Sequence, residues 1–312
     1  MVTSDSSGAG RAVPLFLLTA DELHLVQDHV PTLRLPGRFL QQWDANLPAA
    51  EAAERSQAAL DGLIGKGLLL ADVPRDPIPA DLGGWLLESF MVFLSLHLAP
   101  AWVFEVTAWT RASALVLVSS ARDGFASVLA RAQDVGIAGG HASARDLAGV
   151  EFTVVPFPDL ANELATAIPS GEVGGVNGPL VTMSLADSRG GIEVLRTHDP
   201  LLLDELSRRI GGADAVLALS GLAGELDAGF ELRLSRDDGI PVRVLSYVRG
   251  AEGWRSVDVR LPAGDDSRAG LPTPEQVVDS GTITIAAVTR AAILAELASL
   301  CAEITLKEMA HG

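Results

Sequence analysis

The side chains of this chain that could do chemistry are few and scattered. Histidine occurs at 24, 29, 97, 141, 198 and 311, with a single cysteine, Cys301, and a single tyrosine, Tyr247. His141 lies in GGHASARD, close to Ser143 and Asp146, the side-chain types of a serine hydrolase. A triad must meet in space, however, and a base two residues from its nucleophile in a flexible loop does not achieve that. His24 and His29 stand five apart on one predicted helix and point to different faces, which spoils a metal pair. His97 falls in an apolar helical run and reads as a core residue with satisfied ring nitrogens. His198-Asp199 precedes a helix, where capping explains the aspartate. Asp237-Asp238 and Asp265-Asp266 lack the spaced oxygens of a calcium loop; turn chemistry explains the first pair and loop solubility the second. Cys301, in an apolar helical pattern, reads as a small buried residue, and alone it cannot form an internal disulfide.

Whole reaction classes are missing their signatures. The sequence contains no GxxxxGK[ST] loop, no GxGxxG after a strand, no GxSxG elbow, no HExxH and no CxxC. No catalytic, cofactor-binding or metal-binding residue is therefore assigned, and a non-enzyme without a cofactor is expected. The formal net charge is −17, from 23 basic and 40 acidic residues. Such a surface repels phosphate backbones and anionic headgroups, so no nucleic-acid partner is expected. A content of 48% hydrophobic and 20% charged residues is that of a folded globular chain.

Residues 1–14, MVTSDSSGAGRAVP, lack a basic region followed by an apolar core and read as a disordered lead, not a signal peptide. The most apolar run, WLLESFMVFLSLHLAPAWVF, contains Glu88, His97 and Pro100. A membrane span needs about 20 uninterrupted apolar residues. This run is expected instead to be a buried helix that changes to strand at Ala99-Pro100, in a cytoplasmic protein.

These residues sit on elements that the pattern repeats. Residues 102–168 read as two apolar strands, a loop-rich stretch, a strand and a helix, and residues 230–306 as strands, a loop, a strand and a helix. The landmarks Phe104 and Phe230, and Val150 and Thr282, lie roughly 125–130 residues apart, a spacing of two related halves instead of a solenoid. The expected fold is α+β: a central antiparallel sheet shared by two pseudo-symmetric halves. The expected division is an N-terminal half at 15–169, a linker at 170–179 and a C-terminal half at 180–312.

In the first half, Thr19 and Glu22 form a capping box for a helix bearing Leu23, Val26 and Val30 on one face. A short element carries Leu35, Phe39 and Trp43. A helix over 49–65 buries Ala53, Leu60 and Ile64, an extended GLLLADVP arm follows it, and a helix spans 80–98. Strands FEVTAW and ASALVLVSS form a hairpin at Thr110-Arg111. Residues 123–132 fit a strand or a helical turn, and glycines 136, 139, 140 and 149 predict a loop. VEFTVVPF is a strand, and the next helix aligns Leu160, Leu164 and Ile168. In the second half LVTMSLAD reads as a strand. Helices follow at 200–210, capped by Asp199, and near 213–224. FELRLS and VRVLSYV flank an Asp-Gly hairpin turn, WRSVDVRLP joins them, and TITIAAV leads after a polar loop at 262–274 into a closing helix. The arginines at 233, 243, 249, 255 and 260 predict a solvated sheet face.

Along VRVLSYV, Val242, Val244, Ser246 and Val248 alternate with Arg243, Leu245, Tyr247 and Arg249. The mixed second set reads as an interaction surface, with Leu245, Tyr247 and Trp254 as partner-binding residues. The competing reading is a face covered by the protein's own closing helix.

The segments LTADELHLV, LRLPGRFL, AAERSQAALDGLIGKGLLL and VVPFPDLANELATAIP, with the later RAGLPTP loop and long last helix, resemble the EspG-like chaperones of type VII (ESX) secretion. The resemblance implies two similar halves around an antiparallel sheet flanked by helical bundles, a cytosolic location and no catalysis or cofactor. It also implies a partner: a helical PE–PPE-type secretion substrate held soluble by covering its tip. Two other readings stay open. QAALDGLIGKGLLL resembles the end of a winged-helix module, which gives a regulator or adaptor, and a hydrolase with an unrecognised site is the third.

Overall fold

The chain builds one run of elements twice. The computed structural model describes residues 15–30, 39, 47–138, 141–170, 179–237, 239, 241–260 and 278–309. The first run is β1 (Phe16–Leu18), α1 (Ala20–His29), α2 (Ala49–Gly65), α3 (Glu88–Leu98), β2 (Trp102–Thr110), β3 (Ser113–Arg122), β4 (Phe125–Ala138), β5 (His141–Pro156) and α4 (Leu160–Thr166). The second is β6 (Val181–Ser184), α5 (Leu185–Thr197), α6 (Pro200–Ile210), α7 (Ala213–Ala223), β7 (Ala228–Arg236), β8 (Pro241–Gly250), β9 (Gly253–Arg260), β10 (Thr282–Val288) and α8 (Arg290–Met309). The proposed lead at 1–14, most of the 170–179 linker, the loop 262–274, Leu35 and Trp43 lie outside the described residues.

All ten strands join one antiparallel sheet in the order β1-β5-β4-β3-β2-β7-β8-β9-β10-β6. The halves meet where β2 pairs with β7, Val106 opposite Leu232 and Phe104 opposite Leu234. Val106 and Leu232 occupy the same position in their respective strands, so a local two-fold axis passes through that pair. Alternation along each strand then assigns the two faces. One face carries Phe104, Val106, Leu117, Val128, Phe230, Leu232, Leu245 and Tyr247, and α4 and α8 cover it with Leu160, Leu164, Ile293, Leu297 and Ile304. Among the described residues, the other face is covered only at its flanks. Helices α1–α3 pack on Val118, Leu129, Val150 and Phe152; α5–α7 pack on Met183, Ile283 and Ile285.

Local chemistry explains several element ends. The Thr19 hydroxyl accepts from the Glu22 amide at 3.2 Å and Glu22 accepts from the Thr19 amide at 2.7 Å, the reciprocal pair of a capping box. Lys66 closes the same corner, donating to the Glu22 carboxylate and to the Leu17 carbonyl. Asp199 caps α6 with Pro200 at its first position, as proline's fixed φ and missing amide allow.

Other expectations need correction. The helix predicted over 80–98 begins only at Glu88, after a 3-10 turn at Gly83–Trp85. Ala53 is exposed and Ile64 half-buried; α2 buries Ala59, Leu60 and Leu63 instead. The glycine-marked stretch after 132 is strand, because β4 and β5 continue as one long hairpin to the Ala138–His141 pair. LVTMSLAD is strand only to Ser184, whose side chain caps α5 by accepting from the Asp187 amide. The solvated arginine face is also partly wrong: Arg249 and Arg255 are buried.

The seam sets a stability test. Leu232 is fully buried, and truncating such a leucine costs about 2–5 kcal/mol. Leu232→Ala should therefore lower the urea midpoint strongly, while Val259→Ala, at an exposed position, should change stability by under about 1 kcal/mol.

Candidate functional site: the uncovered middle of the sheet

Between its two helical flanks the sheet leaves a strip of β2, β7 and β8 open. Three registered rows cross it: Trp109–Gly229–Val248, Thr107–Glu231–Ser246 and Glu105–Arg233–Val244. On the β3 side the first two rows continue to Ala114 and Val116. A trough of about 470 Å³ lies over them, lined by Thr107, Trp109, Val116, Glu231, Ser246 and Val248. Gly229 matters here because a side chain at that position would run into the Trp109 indole. The bare glycine lets the ring lie flat across the seam, the arrangement by which an aromatic shields a strand glycine. Val244 stays 47% exposed and Val259, on the same face of β9, 48% exposed. The floor is thus apolar at its ends, hydroxylated in the middle and charged at Glu105 and Arg233.

The residues assigned from sequence to partner binding lie on the opposite face. Leu245, Tyr247 and Trp254 are buried at 6%, 2% and 2% exposure, under α8. The Tyr247 hydroxyl donates to Glu296 Oε2 on α8 at 2.6 Å, and Arg243 reaches Oε1 of the same carboxylate at 3.2 Å. Burial first, and then the hydrogen bond to Glu296, hold the Tyr247 hydroxyl protonated, far above its ordinary range. Arg249 lies 5.4 Å from the Trp254 ring centre and donates to Asp227 at 2.8 Å and to the Ser170 carbonyl at 2.8 Å. The set is a seam between sheet and closing helix, the competing reading of this face. Its aromatic bulk enters the core because α8 packs on this side, whereas the smaller valines face the uncovered side. The alternation in VRVLSYV was visible in sequence; which side a helix would cover was not.

The histidines do not converge. His97, near the end of α3, is enclosed against the sheet, with Nδ1 2.8 Å from Ser120 Oγ and Nε2 2.7 Å from Ser127 Oγ. This satisfied core histidine has no carboxylate among these partners to orient it as a base. His29 Nδ1 lies 2.7 Å from the Pro79 carbonyl, and His24 pairs with Asp28 on its own helix. His198 turns back toward the Arg196 carbonyl in a left-handed backbone conformation. His141, Ser143 and Asp146 lie on strand β5 in place of the expected loop. Desolvation pushes the Cys301 thiol up to about 12, which keeps it protonated and unreactive. Among the described residues no group of three or more His, Cys, Asp or Glu side chains could hold a metal ion, and no helix is long and apolar enough to cross a membrane.

No protein-family model and no curated protein matches this chain. The functional reading therefore rests on the geometry of the strip and on the resemblance in element order.

His97 carries a pH prediction. Desolvation holds its imidazole down to about 3, below the ordinary value near 6.5, so the folded state disfavours the proton. As pH falls through about 6.5 the unfolded chain protonates first, and stability is lost progressively toward about 3. Between pH 7 and 5 this group alone should remove about 2 kcal/mol. In urea titrations, the stability difference between wild type and His97→Gln should shift against the wild type by that amount over the interval. An unchanged difference would show that the ring is not buried neutral.

Proposed function

We propose that this chain is a cytoplasmic, non-catalytic chaperone of the EspG-like type. It would hold the tip of a helical type VII secretion substrate in the open middle of its sheet. The observation that carries this reading is the uncovered strip itself, bounded by α1–α3 on one side and α5–α7 on the other. A helical hairpin tip presents apolar side chains over a width of about 10 Å for each helix, and the trough offers Trp109, Val116 and Val248 to receive them. The Thr107 and Ser246 hydroxyls can donate to the carbonyls left open at the C-terminal end of a helix, and the Glu231 carboxylate can accept from the amides left open at an N-terminal end. The net charge of −17 opposes self-association of a molecule that displays such a strip.

The repeated element order supports a further part of the reading, that the two halves descend from one duplicated unit. The winged-helix alternative gains little. Helix α2 carries Glu51, Glu54 and Asp61, and its one arginine, Arg55, is tied to Asp21 at 2.7 Å, which leaves no basic recognition face.

Co-expression with small helical secretion substrates encoded nearby, followed by size exclusion, tests the proposal. A soluble complex should co-elute. Trp109→Ala or Val244→Glu should weaken it at least tenfold with little change in thermal stability. Tyr247→Ala should instead lower stability, since it opens the core. Substrates that remain soluble alone and never co-elute would overturn the reading.

A further inference from the structure

The arginines on the strands of the second half are tied down with one exception. Arg243 reaches Glu296 at 3.2 Å, Arg249 reaches Asp227 at 2.8 Å, Arg255 reaches Glu252 at 2.8 Å and Arg260 reaches Asp258 at 3.0 Å. Arg236 lies 5.4 Å from the centre of the Trp102 ring. Arg233, on the floor of the open strip, makes no ion pair among the described residues. Glu105 stands directly opposite it across the seam, where Cβ atoms lie about 4.5–5.5 Å apart, and still the two do not join. Glu231, the next residue of β7 on that face, is also without an ion pair or a side-chain hydrogen bond among the described residues. Both glutamates are half-buried. Partial burial of a carboxylate without a partner costs stability, and costs of that kind collect at functional sites.

The arrangement of these charges describes what would complete them. Between β2 and β8, two strand spacings give a width of about 9.5 Å, close to the diameter of one helix, about 10–12 Å. The rows crossing the strip repeat about every 6.7 Å along the strands, and a helix advances about 6 Å in four residues. One helix laid along β7 would therefore meet the three rows with residues four apart. The row of Trp109, Gly229 and Val248 takes an apolar side chain. The carboxylates of Glu231 and Glu105 are diagonal neighbours about 7–8 Å apart and can share one basic side chain. Arg233, in the last row, takes an acidic one. A second copy of this chain is a poor occupant, because its own strip is flanked by α1–α3 and α5–α7. Those helices would collide before two strips met, and both chains carry −17.

We infer that Glu231, Arg233 and Glu105 are the specificity-determining residues of the strip. They select a partner helix with an apolar, a basic and an acidic residue at four-residue intervals along one face. The inference rests on helix docking in the strip and adds which helix is taken.

The probes are two labelled alanine-rich peptides of about twenty residues, long enough to be helical alone. One carries leucine, lysine and glutamate at successive four-residue intervals, and the other exchanges the lysine and the glutamate. By fluorescence anisotropy the full chain should bind the first at least tenfold more tightly, since complementary charges supply selectivity. The double variant Glu231→Lys, Arg233→Glu should reverse that preference, which also shows that it is folded. Equal binding of the two peptides to the wild type would overturn the inference and leave helix docking standing. Binding of neither would overturn both. A preference that persists in the double variant, or binding unaffected by Trp109→Ala, would show that the peptides dock elsewhere and overturn it too. Affinity that falls as protein concentration rises would put a second copy in the strip instead. Finally, Glu105→Gln and Arg233→Gln should shift the urea midpoint additively. Coupled shifts would mean that the two charges pair with each other in solution, which leaves the strip without a free set.

Discussion

The register of β2 against β7 is the constraint on which the rest of the structure depends. It fuses two five-strand half-sheets through the Val106–Leu232 pair, and it decides which face every side chain of the central strands enters. Strand side chains alternate with period two, so a slip of one residue would exchange the faces. Phe104, Phe230 and Leu234 would leave the core under α8, and Glu105, Glu231 and Arg233 would enter it. Desolvating three charged groups without built partners is far costlier than any local gain from the shifted register. The observed pairing is therefore fixed by burial over the whole seam, not by any one bond.

From that register the distribution of helices follows. In each half the helix after the last strand returns over the same face, so α4 and α8 together cover the middle of the sheet. The three helices that precede the central strands go to the opposite face and to the outer strands, because each trio is tethered to an edge strand, β1 or β6. Those edges are only three and four residues long, which limits edge-to-edge association. The uncovered middle is thus a consequence of the topology: two trios held at opposite edges do not meet over the axis.

Much of this was legible in the sequence, for physical reasons that can be named. Thr19 with Glu22, and Asp199 with Pro200, mark helix starts through interactions a few residues long, and both helices begin there. The turn between β7 and β8, where the Gly239 amide donates to the Arg236 carbonyl at 3.0 Å and Gly239 takes a positive φ, needs only local backbone chemistry. The misses concern elements whose state is set at a distance. Gly149 reads as a loop residue, yet it lies in β5 with positive φ, where a side chain would meet the Leu18 carbonyl of the neighbouring chain segment. Helix α5 follows a four-residue strand without any break in polarity, and Gly190 and Gly191 weaken its helical signal; Gly191 is there because Leu206 and Leu219 pack against its backbone. Tyr247 and Leu245 look like an exposed face until α8, more than 40 residues later in the chain, is known to lie on them.

The same distance argument explains why the candidate site itself was hidden. Its floor is assembled from Trp109, Glu231 and Val248, residues more than 100 positions apart between the first and the second, and no window of sequence contains them together. Each alone is an ordinary strand residue. Gly229 is the one local irregularity, a glycine inside a strand, which signals close approach by another group. That group is the Trp109 ring. The ring lies over the bare glycine and also lines the trough, so part of it remains uncovered within the chain. Burying the remaining part would yield roughly 25 cal/mol for each Å² removed from water, and an indole is among the side chains that most often dominate protein contacts. The bare glycine and the tryptophan laid over it are therefore two signs of one arrangement, a close approach of an aromatic ring to the seam where the two halves meet.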